Sequence, residues 1–328
     1  MDERQLLQRL IAGPVSGDTL AREAGQTRAA VWKRIEALRE AGVPIEARAG
    51  RGYALATPMD LLDADAIRTG LPVGVQASLR SLETAWSIDS TNTELLRRPA
   101  PAQGVDVLLA ERQTGGRGRR GREWASPLAA HLYLSVSRQF GGGLARLGGL
   151  SLVAGVAAAQ ALQSVGFDVR LKWPNDLVVP SADGALRKLG GILVEGGGEH
   201  AGPVRAVIGM GINVRMPAAF AAGIDQPWCD LSGLTEAQVD RNRVAAAVLA
   251  HLLPALEEFD ADGLAPFRER YAALDALVAR PVTLHATTGE MRGVALGLAD
   301  DGALRVRLAD GEERSFHSGE VSVRGAKA

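Results

Sequence analysis

The run Gly115-Gly116-Arg117-Gly118-Arg119-Arg120-Gly121-Arg122 interleaves four arginines with glycines. Glycines let a backbone approach a ligand closely while guanidinium groups surround it, which suits a phosphate. A solvated basic loop or a nucleic-acid contact fits the same residues. Gly116, Gly118 and Gly121 formally spell the dinucleotide fingerprint G-x-G-x-x-G. That fingerprint opens a helix, however, and Arg122-Glu123-Trp124-Ala125-Ser126-Pro127 breaks one.

Four further groups carry polar chemistry. Lys172-Trp173-Pro174-Asn175-Asp176 packs a cation, a large aromatic, a rigid turn and two polar side chains at a strand end. Lys188 precedes Gly190-Gly191 and a buried strand from Ile192; an ordinary surface lysine is the default there. Gly209-Met210-Gly211-Ile212-Asn213 ends another strand with a close-approach glycine pair. Asp89-Ser90-Thr91-Asn92 offers small hydrogen-bonding groups, or simply a helix cap.

Several chemistries are excluded. No G-x-x-x-x-G-K-[ST] and no G-x-S-x-G occurs, which removes P-loop phosphate binding and the hydrolase elbow. One cysteine, Cys229, rules out a disulfide framework, and it reads as a packing residue. The five histidines form no H-x-x-x-H or H-E-x-x-H pair, so no zinc site is expected. With 37 Lys+Arg against 38 Asp+Glu the net charge is −1, and 46% apolar residues suffice for real cores. At 328 residues the chain predicts two or three domains. The charged start Met1-Asp2-Glu3-Arg4 carries no signal-peptide core, and the uncharged stretch Leu147–Phe167 reads as a buried helix rather than a membrane span. A soluble, cytoplasmic protein is expected.

The elements that must position these groups fall into three units. Residues 3–56 predict a helix, a helix–turn–helix and a short hairpin. Leu6, Leu7, Leu10 and Ile11 stripe the first helix; Asp18 is the expected cap of a helix Thr19–Ala24; Thr27 caps a longer one that Gly42 stops. Ile45–Arg48 and Tyr53–Leu55 form the wing, and Thr57–Pro72 reads as a connector. The middle predicts strands at Val105–Ala110, Leu132–Val136, Val169–Leu171, Ile192–Glu195 and Val204–Ile208, with helices at Leu147–Val165, Arg241–Phe259 and Leu264–Leu274. Strands without strict βαβ alternation indicate a layered α+β sheet. The tail predicts short strands at Val282–Leu284, Gly293–Leu298, Leu304–Leu308 and Glu320–Val323, enough for a small antiparallel barrel. The expected divisions are 1–57 (winged helix–turn–helix), 58–78 (linker), 79–277 (catalytic) and 278–328 (barrel).

The order of the motifs matters most. Ser90-Thr91-Asn92, Gln113, Gly116–Arg122, Lys172–Asp176, Arg187–Ile192 and Gly209–Asn213 closely resemble the bacterial biotin–protein ligases. With the preceding winged helix and the trailing barrel, the whole chain resembles the bifunctional ligase/biotin operon repressors, the BirA family. The resemblance implies a multidomain α+β fold with a class II synthetase-like mixed sheet and an SH3-like barrel. It implies a ligase that makes biotinyl-5′-AMP from biotin and ATP with Mg²⁺, then transfers biotin to a lysine of a biotin carboxyl carrier protein. It also implies a DNA-binding repressor that uses the adenylate as corepressor and dimerises when adenylate-bound.

On that resemblance Lys188, Arg119 and Asp176 are the catalytic candidates. Biotin falls to Ser90, Thr91, Asn92, Gln113, Arg117, Gly118, Arg119 and Lys188, with Gly190 and Gly191 leaving room for its rings. ATP falls to Arg119, Arg122, Asn175, Asn213 and Trp228, and Mg²⁺ enters with ATP rather than on a protein site. Residues 28–52 carry a local charge of +3, so Gln26, Thr27, Arg28, Trp32, Lys33, Arg48 and Arg51 are the expected DNA contacts. The chain departs from the usual pattern at Ala129-Ala130-His131 and at Met210. Alternatives are a lipoate–protein ligase, a ligase whose winged helix no longer represses, and a biotin sensor that has lost catalysis.

Overall fold

The computed structural model describes residues 1–48, 50, 52–198, 203–286, 289–318 and 321–325. Helices α1 (Glu3–Ile11), α2 (Gly17–Ala24) and α3 (Arg28–Glu40) are followed by the antiparallel wing β1 (Ile45–Arg48) and β2 (Gly52–Leu55). Thr27 caps α3 by accepting from the Ala30 N–H at 3.2 Å, as expected. Gly25 ends α2 at φ +61°, a left-handed conformation that glycine adopts without strain. The cap of α2 is Ser16 rather than Asp18. Its hydroxyl reaches the Thr19 N–H at 3.0 Å and starts the helix two residues early, which moves Asp18 into the first turn beside Arg28.

Residues 58–78 are not a bare connector. They form α4 (Ala64–Thr69), capped by Asp63, and α5 (Val73–Ser78). Ile67, Leu71 and Val75 sink into the central core. A seven-stranded sheet follows, built from β3 (Leu79–Ala85), β4 (Val105–Ala110), β5 (Leu132–Phe140), β6 (Arg170–Lys172), β7 (Asp176–Pro180), β8 (Leu186–Gly198) and β9 (Val204–Ile212). Its order is β3-β4-β5-β9-β8-β7-β6, antiparallel except for β3–β4.

Helix α6 (Thr91–Arg97) joins β3 to β4, and α7 (Leu150–Ser164) crosses the sheet, apolar on nearly all sides and buried as its composition predicts. After the short α8 (Ala218–Ala221), α9 (Arg241–Asp262) and α10 (Phe267–Leu274) pack on α7. No described helix is long and apolar enough to cross a membrane.

The tail forms β10 (Pro281–Ala286), β11 (Gly289–Leu298), β12 (Leu304–Leu308), β13 (Glu313–Phe316) and β14 (Val321–Gly325). They make an antiparallel sheet in the order β13-β12-β11-β10-β14. This unit docks against the central one: the Trp173 indole donates to the Gly302 carbonyl at 3.1 Å.

The N-terminal unit is also seated on the central one. Leu128 and Ala129, which follow the arginine loop, complete its core alongside Leu38 and Val43. The Leu128 N–H donates to the Ala41 carbonyl at 2.8 Å. Gly42, at φ +102°, lies so near Pro127 and Phe220 that a Cβ would come within 2.9 Å of Pro127.

Candidate active site and DNA-facing helix

The first wall of the site is polar. Ser90 caps α6, and the first turn of that helix turns Thr91 and Asn92 into the protein. An isolated parallel bridge between Ile88 and Gln113 brings the next polar group alongside. Gln113 Oε1 accepts from the Thr91 N–H at 2.9 Å and from its hydroxyl at 3.1 Å. Ser135, from the middle of β5, lies 2.7 Å from Thr91 Oγ1 and 2.6 Å from Asn92 Oδ1. The Asn92 amide is wholly engaged by protein, its Nδ2 donating to the Leu193 carbonyl and Glu195. Gly209 is needed beneath it, since a Cβ there would lie 2.3 Å from Asn92 Oδ1.

The second wall is cationic. The arginine loop folds back on itself: Gly118 N–H donates to the Arg122 carbonyl at 2.7 Å, around a turn with Arg120 and Gly121 at positive φ. Arg117 reaches Thr93 Oγ1 at 3.0 Å and Glu195 at 3.4 Å. Arg119 donates to Asn175 Oδ1 at 3.2 Å and to the Ser318 carbonyl of the C-terminal unit. Burial, and then neighbouring Arg120, pull its pKa below the usual arginine value. Arg122 stays exposed. Lys188 is no surface lysine: its Nζ pairs with Asp176 at 2.8 Å and stands 5.5 Å from the centre of the Trp124 ring.

Between the walls lies a floor without side chains. Gly191 and Gly211 are cross-strand partners in β8–β9, and the Trp124 indole rests on them; a Cβ at Gly211 would come within 2.5 Å of it. The indole nitrogen is buried without a hydrogen-bond partner. Of the two glycines expected to leave room here, only Gly191 faces the site. Gly190 serves packing, for a Cβ there would meet the Gly211 carbonyl at 2.7 Å and Leu177 at 3.2 Å.

Asn175, Asn213 and Trp228 gather beside Lys188. Asn175 Nδ2 donates to the Ile192 carbonyl at 2.7 Å, which aims its oxygen at Arg119. Asn213 Nδ2 donates to the Cys229 carbonyl at 3.1 Å. Residues 227–229 pair with the backbone of Lys188 and set Trp228 next to it. Cys229 is buried, and burial pushes its thiol up to about 11, as befits a packing residue.

Sequence reasoning missed a buried hub at the loop roots. Arg241 holds Asp60 and Glu111, each at 2.8 Å, and Glu111 also accepts from the Leu62 N–H. His131 Nδ1 accepts from the Val214 N–H at 3.1 Å, and complete burial drives its pKa down to about 3. Glu111 and Ala129 flank the arginine loop, while Val214 begins the segment leading to Trp228, so one cluster clamps both loops and the segment from Asp60 to Leu62. Ser135 and Glu195 were missed as well. Nothing but a single serine within the expected strand Leu132–Val136 marked Ser135.

On the N-terminal unit, α3 is the second helix of the helix–turn–helix. Trp32 (53% exposed), Lys33 and Arg28 face solvent. Arg28 pairs with Asp18 at 3.2 Å and Arg48 with Glu46 at 3.3 Å. Thr27 is committed to its cap, and Gln26 is half-buried. Arg51 lies outside the described residues.

Comparison with known proteins matches three families in sequence order. They are an HTH domain over residues 2–54, the biotin/lipoate A/B protein ligase family over 85–213 and the biotin protein ligase C terminal domain over 280–324. The chain is 41% identical to a bifunctional ligase/repressor BirA of Salmonella typhimurium over 315 residues, 95% of this chain and 94% of the relative. It is 40% identical to a protein of the same name from Escherichia coli over the same shares. In structure it resembles a biotin protein ligase from Aquifex aeolicus solved with biotin and ATP (TM-score 0.62, 26% identity, 75% of this chain and 100% of that one).

Proposed function

This chain belongs to the BirA family of bifunctional ligase/repressors, and we propose that it joins biotin to a carrier-protein lysine through biotinyl-5′-AMP and represses transcription through its N-terminal unit. The observation that carries the ligase reading is the meeting of the polar wall, the glycine floor and the cations at one end of β8 and β9. A ureido ring offers one carbonyl and two N–H groups, which Ser90, Thr91, Gln113 and the loop backbone at Gly118 complement. Asn92 braces that wall from behind.

In the first step the biotin carboxylate attacks the α-phosphorus of ATP and pyrophosphate leaves. Two anions must meet, and Lys188 and Arg119 neutralise the charge that accumulates. Arg117 is already balanced by Glu195 and serves to hold the loop. Asn175 aims Arg119; Arg122, Asn213 and Trp228 lie on the nucleotide side. Mg²⁺ would enter with ATP, held by its phosphates. In the second step the acceptor amine attacks the mixed anhydride and AMP leaves. Asp176 orients that amine or takes its proton.

DNA falls to α3 and the wing, with Arg28, Trp32, Lys33 and Arg48 outermost. A single such unit binds weakly, so repression calls for a two-fold dimer on a paired site, formed when the adenylate is bound. The deciding experiment incubates the protein with ATP, Mg²⁺ and biotin, with lipoate and octanoate in parallel, and seeks the acyl-adenylate by mass spectrometry. Adenylate from biotin alone is expected; adenylate from lipoate instead, or none, overturns the reading. For DNA, Lys33→Ala should lower the slope of log affinity against log salt by about one on a random duplex. An unchanged slope removes Lys33 from the interface.

A further inference from the structure

Glu195 takes no part in the chemistry above, yet it sits where the two walls join. Its Oε2 accepts from Asn92 Nδ2 at 2.8 Å, and its Oε1 faces Arg117 Nη2 at 3.4 Å. Both oxygens therefore meet donors. From Asn92 a chain of contacts runs inward: Asn92 Oδ1 to Ser135 Oγ at 2.6 Å, then Ser135 Oγ to Thr91 Oγ1 at 2.7 Å. Thr91 Oγ1 is also 3.1 Å from Gln113 Oε1. Thr91, Asn92 and Ser135 are buried, which keeps the inner part of the chain from bulk water, while Glu195 at its outer end is half-buried.

The direction of every proton in this chain follows from its outer end. A carboxylate and a backbone carbonyl only accept. Glu195 and the Leu193 carbonyl thus hold the Asn92 NH₂ on their side, which turns Oδ1 towards Ser135. That oxygen also only accepts, so the single Ser135 proton is committed to Asn92. Thr91 can then direct its own proton to Ser135 or to Gln113, both inside the wall. In either case its oxygen shows lone pairs to the site.

We propose that Glu195 is a positioning residue: acting through Asn92 and Ser135, it fixes Thr91 as a hydrogen-bond acceptor, so the site selects a ligand that presents an N–H at that point. The inference rests on the biotin reading, because the ureido group supplies such an N–H. Glutamine at 195 has one accepting and one donating end, while both positions are faced by donors. Either Arg117 loses its acceptor or Asn92 turns over, and turning Asn92 makes Ser135 donate to Thr91, which takes up a lone pair that would otherwise face the ligand N–H.

Titration calorimetry with biotin, and separately with ATP, tests this on the full chain. Glu195→Gln should weaken biotin binding roughly tenfold or more, the scale of one hydrogen bond to a charged group, and move ATP affinity less than about twofold. Ser135→Ala, which removes the relay itself, should weaken biotin binding to a similar degree. In the Ser135→Ala background Glu195→Gln should add less than about threefold, because the path is already cut. Multiplying effects, or wild-type biotin affinity in either single variant, overturn the proposal. Should Glu195→Gln fail to fold, Ser135→Ala alone decides. Wild-type protein that binds biotin but forms no adenylate defeats the ligase reading and leaves this comparison intact; wild-type protein that binds no biotin defeats both.

Discussion

Lys188 and Asp176 hold each other at 2.8 Å, although the proposed reaction needs them in different steps. The pair is about four-fifths buried on both sides, so each group is kept where the other can find it. A lysine turned towards an arriving phosphate leaves Asp176 free to meet the acceptor amine. The first half-reaction would thus prepare the second.

Asp176→Asn should therefore slow transfer to the carrier lysine about 10²–10⁴-fold, the usual loss when a general base is removed. Adenylate formation should fall less than about tenfold, because Lys188 keeps its charge and loses only its resting partner. Single-turnover measurement of each half-reaction separates the two, and equal losses would exclude Asp176 as the group serving the acceptor.

If Arg119 holds the adenylate as proposed, Arg119→Gly should remove one charged contact, at a cost of about 1.5–3 kcal/mol. The intermediate should escape roughly 10- to 150-fold faster and label exposed lysines without regard to the carrier. Adenylate retained through gel filtration as well as in the wild type would show that the loop does not hold it.

Gly211→Ala places a Cβ within 2.5 Å of the Trp124 ring, so the indole must leave the glycine floor. Overpacking of this kind costs about 1–3 kcal/mol. A lower melting temperature and altered tryptophan fluorescence are expected together. Wild-type values for both would place the indole elsewhere.

The buried His131 gives a pH dependence of known sign. Its folded pKa, about 3, lies well below the ordinary imidazole value of about 6.5. Between those values the unfolded chain binds a proton that the folded chain refuses, so stability falls as pH drops from about 6.5 towards 3. The loss is up to about 1.4 kcal/mol per pH unit. Asparagine can still accept from the Val214 N–H but does not titrate. His131→Asn should thus lose less stability between pH 7 and pH 5 in urea melts, and parallel curves for the two proteins would acquit the imidazole.

What the sequence disclosed depended on how unusual each residue was for its setting. An arginine–glycine loop and a Lys-Trp-Pro-Asn-Asp turn stand out because no ordinary loop needs them. Ser135 and Glu195 did not, since Leu-Tyr-Leu-Ser-Val-Ser and Ile-Leu-Val-Glu read as plain strands. Their importance arises only when β5, β9 and β8 pair and bring them to α6. The glycine floor is equally non-local, because Gly191 and Gly211 meet through sheet register. Strand β13 escaped notice because only Phe316 of its four residues is buried, which leaves no alternation to read. Helices α4 and α5 are six residues each, too short for a periodic stripe, and their burial comes from tertiary packing.

The Leu128–Ala41 hydrogen bond has a thermodynamic consequence. Leu128 and Ala129 follow the arginine loop in the chain and belong by packing to the core of the N-terminal unit. Neither unit can therefore melt without exposing apolar surface of the other. The two should lose structure in one cooperative heat-absorption peak, with calorimetric and van't Hoff enthalpies in agreement for the pair. A reader of DNA and a maker of adenylate would then share one folding equilibrium as well as one polypeptide.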